Sequence, residues 1–300
     1  MDPHLFYRFV EQAFEEDLGD GDHSTLSCIS ATARGKAVLK IKQSAVIAGM
    51  DVAERIFLYK DPSAIFTAFV RDGDTVQPGE IAFEVESFAA VILQCERLVL
   101  NCMQRMSGIA TLTREYVNLL EGSTTRLLDT RKTTPNFRLL EKEAVRIGGA
   151  LNHRFGLYDM IMLKDNHIDF CGRIETAIDR AWQYVQQKKP LLSIEVETRS
   201  LEELVQVVQY GQHKVKRIML DNFSPALLKQ ALEYIDSQVP RGTFETEASG
   251  GMTKENIRDY AATGVDFISV GALIHQAQSI DLSLKASLFT HPLDHHGKKK

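Results

Sequence analysis

The residues best suited to chemistry lie in one stretch of the chain, between Arg126 and His167. Residues 126–154 hold seven arginines or lysines and three acids, within a chain whose formal net charge is -5. DNA binding needs an extended basic face that follows the phosphates, and a short basic segment in an acidic protein does not supply one. Arginine forks bind carboxylate or phosphate groups through two hydrogen bonds each. The stretch therefore predicts a pocket for a small anion that carries several charges.

Five side chains are predicted to form one wall of this pocket. They are Arg131, Lys132, His153, Arg154 and Lys164. Groups that are cationic, or can become so, are costly to gather without an anion that neutralises them. A single arginine of this set is more often a surface residue, so the prediction depends on the set as a whole. A phosphorylated sugar together with a dicarboxylic acid would match it.

The second part of the chain alternates short apolar runs with helical patterns. The runs predicted as strands are residues 125–129, 160–163, 192–197, 217–221, 243–248 and 267–270. Repeated strand–helix units favour parallel strands joined by right-handed crossovers. Polar or glycine residues end each run, and the carboxyl ends of the strands surround the active site of an α/β barrel. We therefore expect these residues to share one site.

Two of these strand ends carry carboxylates, and two carry glycines. Glu197 and Asp221 could hold ribose hydroxyls, a Mg²⁺ ion or a developing positive charge, or they could form structural ion pairs. Glu195 shares a strand face with Glu197 and is expected to line the pocket as well. Ser249-Gly250-Gly251 and Gly271-Ala272 are each expected to precede a helix and to bind a phosphate. Ordinary turns between strands and helices would explain these glycines equally well.

Residues 1 to about 105 are predicted to form an α/β module rich in antiparallel strands. Helices are expected at residues 4–17, 51–60 and 89–120, and strands within 33–49 and 65–87. The acidic residues 15–25 do not have the order of an EF-hand and are interpreted as a solvated loop. Ser107-Gly108 within the long helix indicates close packing against another backbone. By spacing alone, Arg97 is a surface charge of that helix.

Composition narrows the class of protein. The chain has 300 residues, of which 44% are hydrophobic and 25% charged, as in globular proteins. No apolar run approaches the ~18 residues of a membrane span, and the N-terminus lacks the pattern of a signal peptide. The four cysteines are scattered, which predicts a reducing compartment without disulfides. Cys95 and Cys102, seven residues apart on a helical pattern, are predicted to be two buried thiols on one face, with a metal pair as the alternative.

Ordered motifs over nearly the whole chain, from about Leu5 to Leu284, resemble those of the quinolinate phosphoribosyltransferase family. The motifs are Glu96-Arg97, Asp129-Thr130-Arg131-Lys132-Thr133, Gly148-Gly149, Asn152-His153-Arg154, Lys164-Asp165-Asn166-His167, Glu195-Val196-Glu197, Leu220-Asp221-Asn222, Glu247-Ala248-Ser249-Gly250-Gly251 and Val270-Gly271-Ala272. The resemblance implies a transfer of phosphoribose from 5-phosphoribosyl-1-pyrophosphate (PRPP) to quinolinate, with loss of CO2. The implied products are nicotinate mononucleotide and pyrophosphate, and Mg²⁺ is the implied cofactor, with no organic cofactor.

The resemblance also implies the architecture. An N-terminal α/β sandwich is expected at residues 1–105 and an incomplete, seven-stranded α/β barrel at 106–274. A helical segment at 275–290 is expected to pack back on the first domain, and 291–300 to be a disordered tail. A cytoplasmic homodimer or larger assembly is expected, without nucleic-acid or membrane partners. Arg97 of one subunit would then reach the site of the other.

The resemblance assigns roles to the site residues. Arg97, Arg131, His153, Arg154 and Lys164 are expected to bind quinolinate. Catalysis is expected to involve Lys132, Glu197 and Asp221, with the last two also holding Mg²⁺. The residues expected to bind PRPP are Thr130, Lys132, Glu197, Asp221, Ser249, Gly250, Gly251, Gly271 and Ala272.

Three alternatives stay open at this point. A related group associated with molybdenum transport shares the Thr-Arg-Lys and His-Arg elements, but we expect it to lack the element at residues 164–167. A nicotinate-using phosphoribosyltransferase would not need so many cations for one carboxylate. A non-catalytic phosphate- or nucleotide-binding barrel would explain the glycines and the basic stretch, but not Glu197 and Asp221.

Overall fold

The computed structural model describes residues 1–288 and divides into two compact units. Of the described residues, 1–111, 139–147 and 278–288 form the first unit, and 112–138 and 148–277 form the second. The boundary at residues 105/106 stays a prediction. The expected disordered tail, residues 291–300, lies outside the described residues.

Helices and strands occur along the whole described chain. The elements up to the long helix are α1 (Pro3–Leu18), α2 (His23–Cys28), β1 (Arg34–Ile41), β2 (Ala45–Val46), α3 (Met50–Lys60), β3 (Ile65–Ala68), β4 (Thr75–Val76), β5 (Ile81–Phe88) and α4 (Ala89–Leu119). The elements after it are β6 (Arg126–Leu128), α5 (Arg138–Gly148), β7 (Ile161–Leu163), α6 (Asp165–Cys171), α7 (Ile174–Lys188), β8 (Ile194–Thr198), α8 (Leu201–Tyr210), β9 (Arg217–Asp221), α9 (Pro225–Gln238), β10 (Glu245–Ser249), α10 (Ile257–Ala261), β11 (Phe267–Ser269), α11 (Ala272–His275) and β12 (Leu282–Leu288).

The first unit is built on a four-stranded antiparallel sheet in the order β12-β1-β5-β3. Strand β1 alternates between buried and more exposed residues, so Ala37, Leu39 and Ile41 lie in an apolar core. Phe57 and Phe83 meet there edge to face, with ring centroids 6.2 Å apart. This small mixed α/β unit confirms the predicted class of the N-terminal domain.

The prediction of a helix over residues 275–290 is wrong. Helix α11 ends at His275, and β12 pairs antiparallel with β1 along Leu282–Leu288. Leu282 and Leu284 are buried, whereas Ser283 is half-buried and Lys285 is exposed. This alternation has the period of a strand, so the segment completes the sheet instead of packing on it as a helix.

Two other features of the first unit bear on the sequence analysis. A Cβ on Gly108 would lie 2.0 Å from the carbonyl oxygen of Gln278, so the close backbone packing predicted for Ser107-Gly108 is confirmed. Residues 15–25 are not simply a loop, because α2 begins at His23. Its N-terminus is capped by the Asp22 carboxylate, which accepts the Thr25 N–H at 3.1 Å.

The second unit contains a six-stranded, fully parallel sheet in the order β6-β11-β10-β9-β8-β7. All six strands predicted from the sequence are present, within two residues at each end. Beyond β6, a single parallel bridge joins Leu128 to Leu151, and no full seventh strand is formed among residues 1–288. The α/β class of the catalytic domain is therefore confirmed, with six strands where seven were expected.

Candidate active site

A cavity of about 790 Å³ opens in the second unit at the carboxyl ends of its parallel strands. Of the residues to which the family resemblance assigns roles, it collects all except Arg97. The predicted residues that line it are Thr130, Arg131, Lys132, His153, Arg154, Lys164, Glu197, Asp221, Ser249, Gly250, Gly251, Gly271 and Ala272. Parallel strands bring these positions together because their carboxyl ends meet at one edge of the sheet.

Arg131 and Arg154 make one side of the cavity strongly cationic. The Arg131 Nε atom is buried and has no hydrogen-bond partner among residues 1–288, which is rare for a donor on a charged group. Burial, and next the neighbouring Arg131, lower the pKa of Arg154 below its usual value. The Arg154 Nη1 atom donates to the Met160 carbonyl at 3.3 Å. An anion in the cavity would satisfy the orphaned donor and relieve the repulsion between the two guanidinium groups.

Lys164 and Glu197 form an ion pair at the ends of β7 and β8. The Lys164 Nζ atom lies 2.9 Å from a Glu197 carboxylate oxygen, and both residues line the cavity. Lys132 is exposed at the cavity, and its main-chain N–H donates to the Thr130 hydroxyl at 3.1 Å. Thr130 therefore shapes the turn that carries Arg131 and Lys132.

The Asp221 carboxylate is held from both sides. Asn222 donates from Nδ2 to one oxygen at 2.7 Å, and the Ser249 hydroxyl donates to the other in a short hydrogen bond. Asn222 adopts a left-handed backbone (φ 58°) to make this contact. The carboxylate is thus fixed at the cavity edge before any ligand arrives.

Glycines make the loop after β10 compact. Gly250 and Gly251 have φ of 93° and 63°, in the region that favours glycine. A Cβ on Gly250 would lie 2.2 Å from the Asn222 Oδ1 atom, so this position has no room for a side chain. The helix expected after Ser249-Gly250-Gly251 is present, but α10 begins only at Ile257 and does not follow the glycines directly. Gly271 does immediately precede α11.

His153 uses both ring nitrogens within the protein. The Arg154 N–H donates to Nδ1 at 2.7 Å, and Nε2 lies 3.1 Å from Glu195 and 3.3 Å from Glu247. Burial alone would lower the pKa of His153, but the two carboxylates raise it to about 9. The second proton would have to occupy Nδ1, which already accepts a hydrogen bond. The proton on Nε2, which faces the two carboxylates, is common to the neutral and the charged forms of the ring.

A proton on Nε2 argues against a metal ion at His153, Glu195 and Glu247, although ligand atoms of the three lie within 4.8 Å of one another. A metal bound at Nε2 would leave the ring proton on Nδ1, against the Arg154 N–H. Glu197 and Asp221, the carboxylates expected to hold Mg²⁺, both line the cavity.

Glu195 does not line the cavity, contrary to our expectation. It is fully buried below it, where burial raises the pKa of its carboxyl group. Glu247, on the next strand but one, does line the cavity. His153, Ser269 and Arg217 together outweigh the effect of burial and lower the pKa of Glu247. Both glutamates are therefore buried acids, and only Glu247 is in contact with the cavity.

The basic stretch of the sequence does not form one surface. Arg131, Lys132 and Arg154 line the cavity, whereas Arg146 pairs with Glu143 on α5, in residues assigned to the first unit. Arg97 is an exposed residue of α4 and does not line the cavity of the second unit.

Several lining residues were missed in the sequence analysis. They are Met162, Met219, Asn222, Glu247, Met252, Thr253, Ser269, Val270, His275 and Gln276. The two-residue period of strands was the available signal for some of them, since Glu247 shares a face with Ser249, and Met219 with Asp221. His275 and Gln276 follow the last strand by several residues, and no pattern singled them out.

Comparison with known proteins agrees with this architecture. Residues 22–107 match the N-terminal domain of quinolinate phosphoribosyl transferase, and residues 109–285 match the C-terminal domain. A probable nicotinate-nucleotide pyrophosphorylase (carboxylating) of Bacillus subtilis is 39% identical over 281 residues, covering 94% of this chain and 93% of the relative. Quinolinate phosphoribosyltransferase (decarboxylating) 1 of Nicotiana glauca is 40% identical over 289 residues, covering 92% and 81%.

A solved structure is similar over nearly the full length. The crystal structure of NadC from Streptococcus pyogenes superposes with a TM-score of 0.87 at 36% identity, covering 96% of this chain and 99% of that one. The strands, the cavity at their carboxyl ends and the matches in both domains lead to one assignment. The chain belongs to the quinolinate phosphoribosyl transferase family.

Proposed function

We propose that this protein transfers phosphoribose from PRPP to the ring nitrogen of quinolinate and releases pyrophosphate, CO2 and nicotinate mononucleotide, a step of NAD biosynthesis. The observation that carries the proposal is the buried, unpaired Arg131 Nε donor beside Arg154 at the cavity. A dicarboxylate offers that donor an acceptor and offsets both guanidinium charges. The names of the relatives of this chain support the same reaction.

Quinolinate would occupy the cationic side of the cavity. Arg131, Arg154 and Lys164 would bind its two carboxylates, and Lys164 would then exchange part of its contact with Glu197 for the ligand. His153 has both ring nitrogens engaged, so its contribution would be to fix Arg154. These groups would hold the ring nitrogen in line with C1 of the ribose, and such alignment supplies much of the rate in a two-substrate reaction.

PRPP would occupy the opposite side. Ser249, Gly250, Gly251, Gly271 and Ala272 would surround the 5′-phosphate, where the glycines leave room for close approach of backbone N–H groups. Glu197 and Asp221 would bind the ribose hydroxyls and stabilise positive charge that develops at C1. Lys132 and Thr130 would bind the pyrophosphate, and Lys132 would meet the negative charge that grows on it as it leaves.

Decarboxylation would follow from the transfer. A phosphoribosylated ring nitrogen is cationic and stabilises the electron pair left at C2 when the 2-carboxylate departs as CO2; a proton then takes its place. The substrate serves as its own electron sink, so no organic cofactor is required. Mg²⁺ held by Glu197 and Asp221 would neutralise phosphate charge. Removing Mg²⁺ with a chelator should abolish turnover, and adding it back should restore it.

The oligomeric state and the cellular location of the protein stay predictions. We infer a homodimer or larger assembly in which Arg97 of one subunit, exposed on α4, reaches the cavity of the other. Light scattering of the wild-type protein would test the assembly, and the KM for quinolinate of Arg97→Ala would test the role of Arg97. The four free cysteines support a reducing compartment, and we infer the cytoplasm. Among residues 1–288, no helix is both long and apolar enough to cross a membrane.

The test is one incubation of purified protein with PRPP, Mg²⁺ and quinolinate, and a parallel one with nicotinate. We expect nicotinate mononucleotide, pyrophosphate and CO2 in equal amounts from quinolinate, and almost no product from nicotinate. Product from nicotinate alone would show that the cavity selects a monocarboxylate. Absence of product from both would favour a binding protein over an enzyme.

A further inference from the structure

Arg217 is a buried cation that lies outside the cavity and that no part of the proposed reaction uses. It begins β9, and its side chain points to the same face of the sheet as Met219 and Asp221. Its guanidinium donates from Nη1 to Glu247 at 2.9 Å, and from Nε and Nη2 to Glu245 at 3.0 and 2.8 Å. The group also lies over the Phe267 ring, 4.2 Å from the centroid. Each of the three guanidinium nitrogens thus donates to a carboxylate.

A continuous series of contacts leads from Arg217 to the cavity. The Glu247 oxygen that accepts from Arg217 lies 3.3 Å from the His153 Nε2 atom. The other ring nitrogen of His153 accepts the main-chain N–H of Arg154 at 2.7 Å. Arg154 itself lines the cavity. A displacement of the Glu247 carboxylate would therefore move the His153 ring and, through it, Arg154, which is expected to bind a substrate carboxylate.

A second anchor holds the same segment from its other side. Asp129 accepts the main-chain N–H of His153 and the Asn152 side-chain amide, each at 2.8 Å. With Asp129 fixing the backbone, the orientation of the His153 ring depends on Glu195 and Glu247. Only Glu247 of these two has a direct hydrogen bond to Arg217 in the described chain. The removal of Arg217 would leave a buried carboxylate without its cation, and such a group moves or takes up a different partner.

We propose that Arg217 is a positioning residue for the reaction, which acts through Glu247 and His153 to hold Arg154 in the orientation that binds quinolinate. The inference rests on the proposed function for the identity of the ligand. Its effect should fall on the acceptor substrate, because Arg154 lies on the cationic side of the cavity. PRPP, which would bind through Asp221 and the glycine loop, should be affected much less.

The test compares Arg217→Met with Glu245→Gln as its matched control. Arg217→Met removes the contacts with both Glu245 and Glu247, whereas Glu245→Gln affects only the contact with Glu245. Glu245 does not touch His153 and does not line the cavity. Quinolinate binding is measured by titration calorimetry, and kcat and the KM of each substrate by turnover. We expect Arg217→Met to weaken quinolinate binding about tenfold or more. The KM for PRPP in this variant, and both parameters in Glu245→Gln, should stay within about twofold of wild type.

Two further variants keep the proposal falsifiable if Arg217→Met does not fold. Glu247→Gln retains size but loses the charge opposite Arg217, and it should show the same selective loss. Arg217→Lys retains the charge without the fork and should recover part of the quinolinate affinity. Wild-type quinolinate affinity in Arg217→Met or Glu247→Gln would overturn the proposal. An equal rise in both KM values, or the same loss in Glu245→Gln, would show a merely structural role.

The same assay separates this proposal from the proposed function. Wild-type protein that turns over quinolinate while Arg217→Met binds it normally would overturn only the positioning role. Wild-type protein that neither binds nor turns over quinolinate would overturn the function, and with it the ligand on which the positioning role depends.

Discussion

The central sheets of the two units bury different side chains. The first unit buries apolar side chains such as Leu39, Phe57 and Phe83 against an antiparallel sheet. The parallel sheet of the second unit buries Glu195, Glu247 and Arg217 on positions where barrel interiors usually carry Val, Ile or Leu. Buried charges contribute little to stability compared with apolar packing of similar volume. The contrast indicates that the first interior serves folding and the second serves ligand binding.

The largest effect on function should come from the cationic side of the cavity. Arg131→Ala and Lys132→Ala should fold normally and lose about a thousandfold or more in turnover, because each removes a preorganised charge at the ligand. Circular dichroism and steady-state kinetics would measure the two properties. Arg146→Ala is the control, since this arginine of the same stretch is exposed and pairs with Glu143. Near wild-type turnover in either cavity variant would remove that residue from the mechanism.

Substitutions in the core of the first unit should change the stability of the protein instead of its turnover. Leu39→Ala empties part of a fully buried site and should lower the free energy of unfolding by about 3 kcal/mol. Denaturant titration measures the loss, and Leu26→Ala, at a site that is 68% exposed, should change it by less than about 0.5 kcal/mol. The folded fraction of both variants should keep its KM values. A selective change of KM in Leu39→Ala would contradict the division of roles.

A smaller, more local effect is expected at the glycine loop. Gly250→Ala places a methyl group against Asn222 and forces an alanine to φ 93°, which together should raise the KM for PRPP about tenfold. Gly264→Ala is matched in backbone conformation, with φ 84°, but has nothing within 4 Å of the added Cβ. It should cost about 1 kcal/mol of stability without changing KM. An equal increase in the KM for PRPP in both variants would mean that backbone strain at the substituted glycine, and not contact of the added methyl group with Asn222, causes the effect.

The smallest effect concerns the buried thiols of the first unit. Burial raises the pKa of Cys95 and of Cys102 to about 12, so neither forms a reactive thiolate near neutral pH. A thiol reagent at pH 8 should modify exposed Cys28 readily and leave Cys95 and Cys102 unmodified until the protein is denatured. Mass spectrometry of the labelled peptides would locate the modified residues. Rapid labelling of Cys102 in the native protein would show that the interior of the first unit is less tightly packed than the structure indicates.

Sequence patterns predicted the strands of the second unit well, because strands buried on both faces leave short apolar runs with polar ends. They also placed Arg131, Lys164 and Asp221 at one site, since parallel strands end at one edge. They did not show that Glu195 lies below the cavity, because a strand's period fixes the face but not the depth at which the cavity ends. They did not show which carboxylates meet His153, since residues on three separate segments form that contact.

Two errors have similar physical causes. The segment at 275–290 was predicted as a helix, although Leu282 and Leu284 alternate with Ser283 and Lys285; its partner β1 lies far away in sequence and supplies the pairing. The basic residues of the 126–154 stretch were treated as one group, although residues 139–147 belong to the first unit. The number of charged residues in a stretch of sequence does not show to which unit a helix belongs.

The most direct test of the account is a crystal structure of the protein with quinolinate bound. We predict both carboxylates of the ligand within hydrogen-bond distance of Arg131, Arg154 and Lys164, with the Arg131 Nε donor satisfied. The His153 Nε2 atom should still face Glu195 and Glu247. Quinolinate bound outside this cavity, or with a carboxylate on His153 Nε2, would contradict the account.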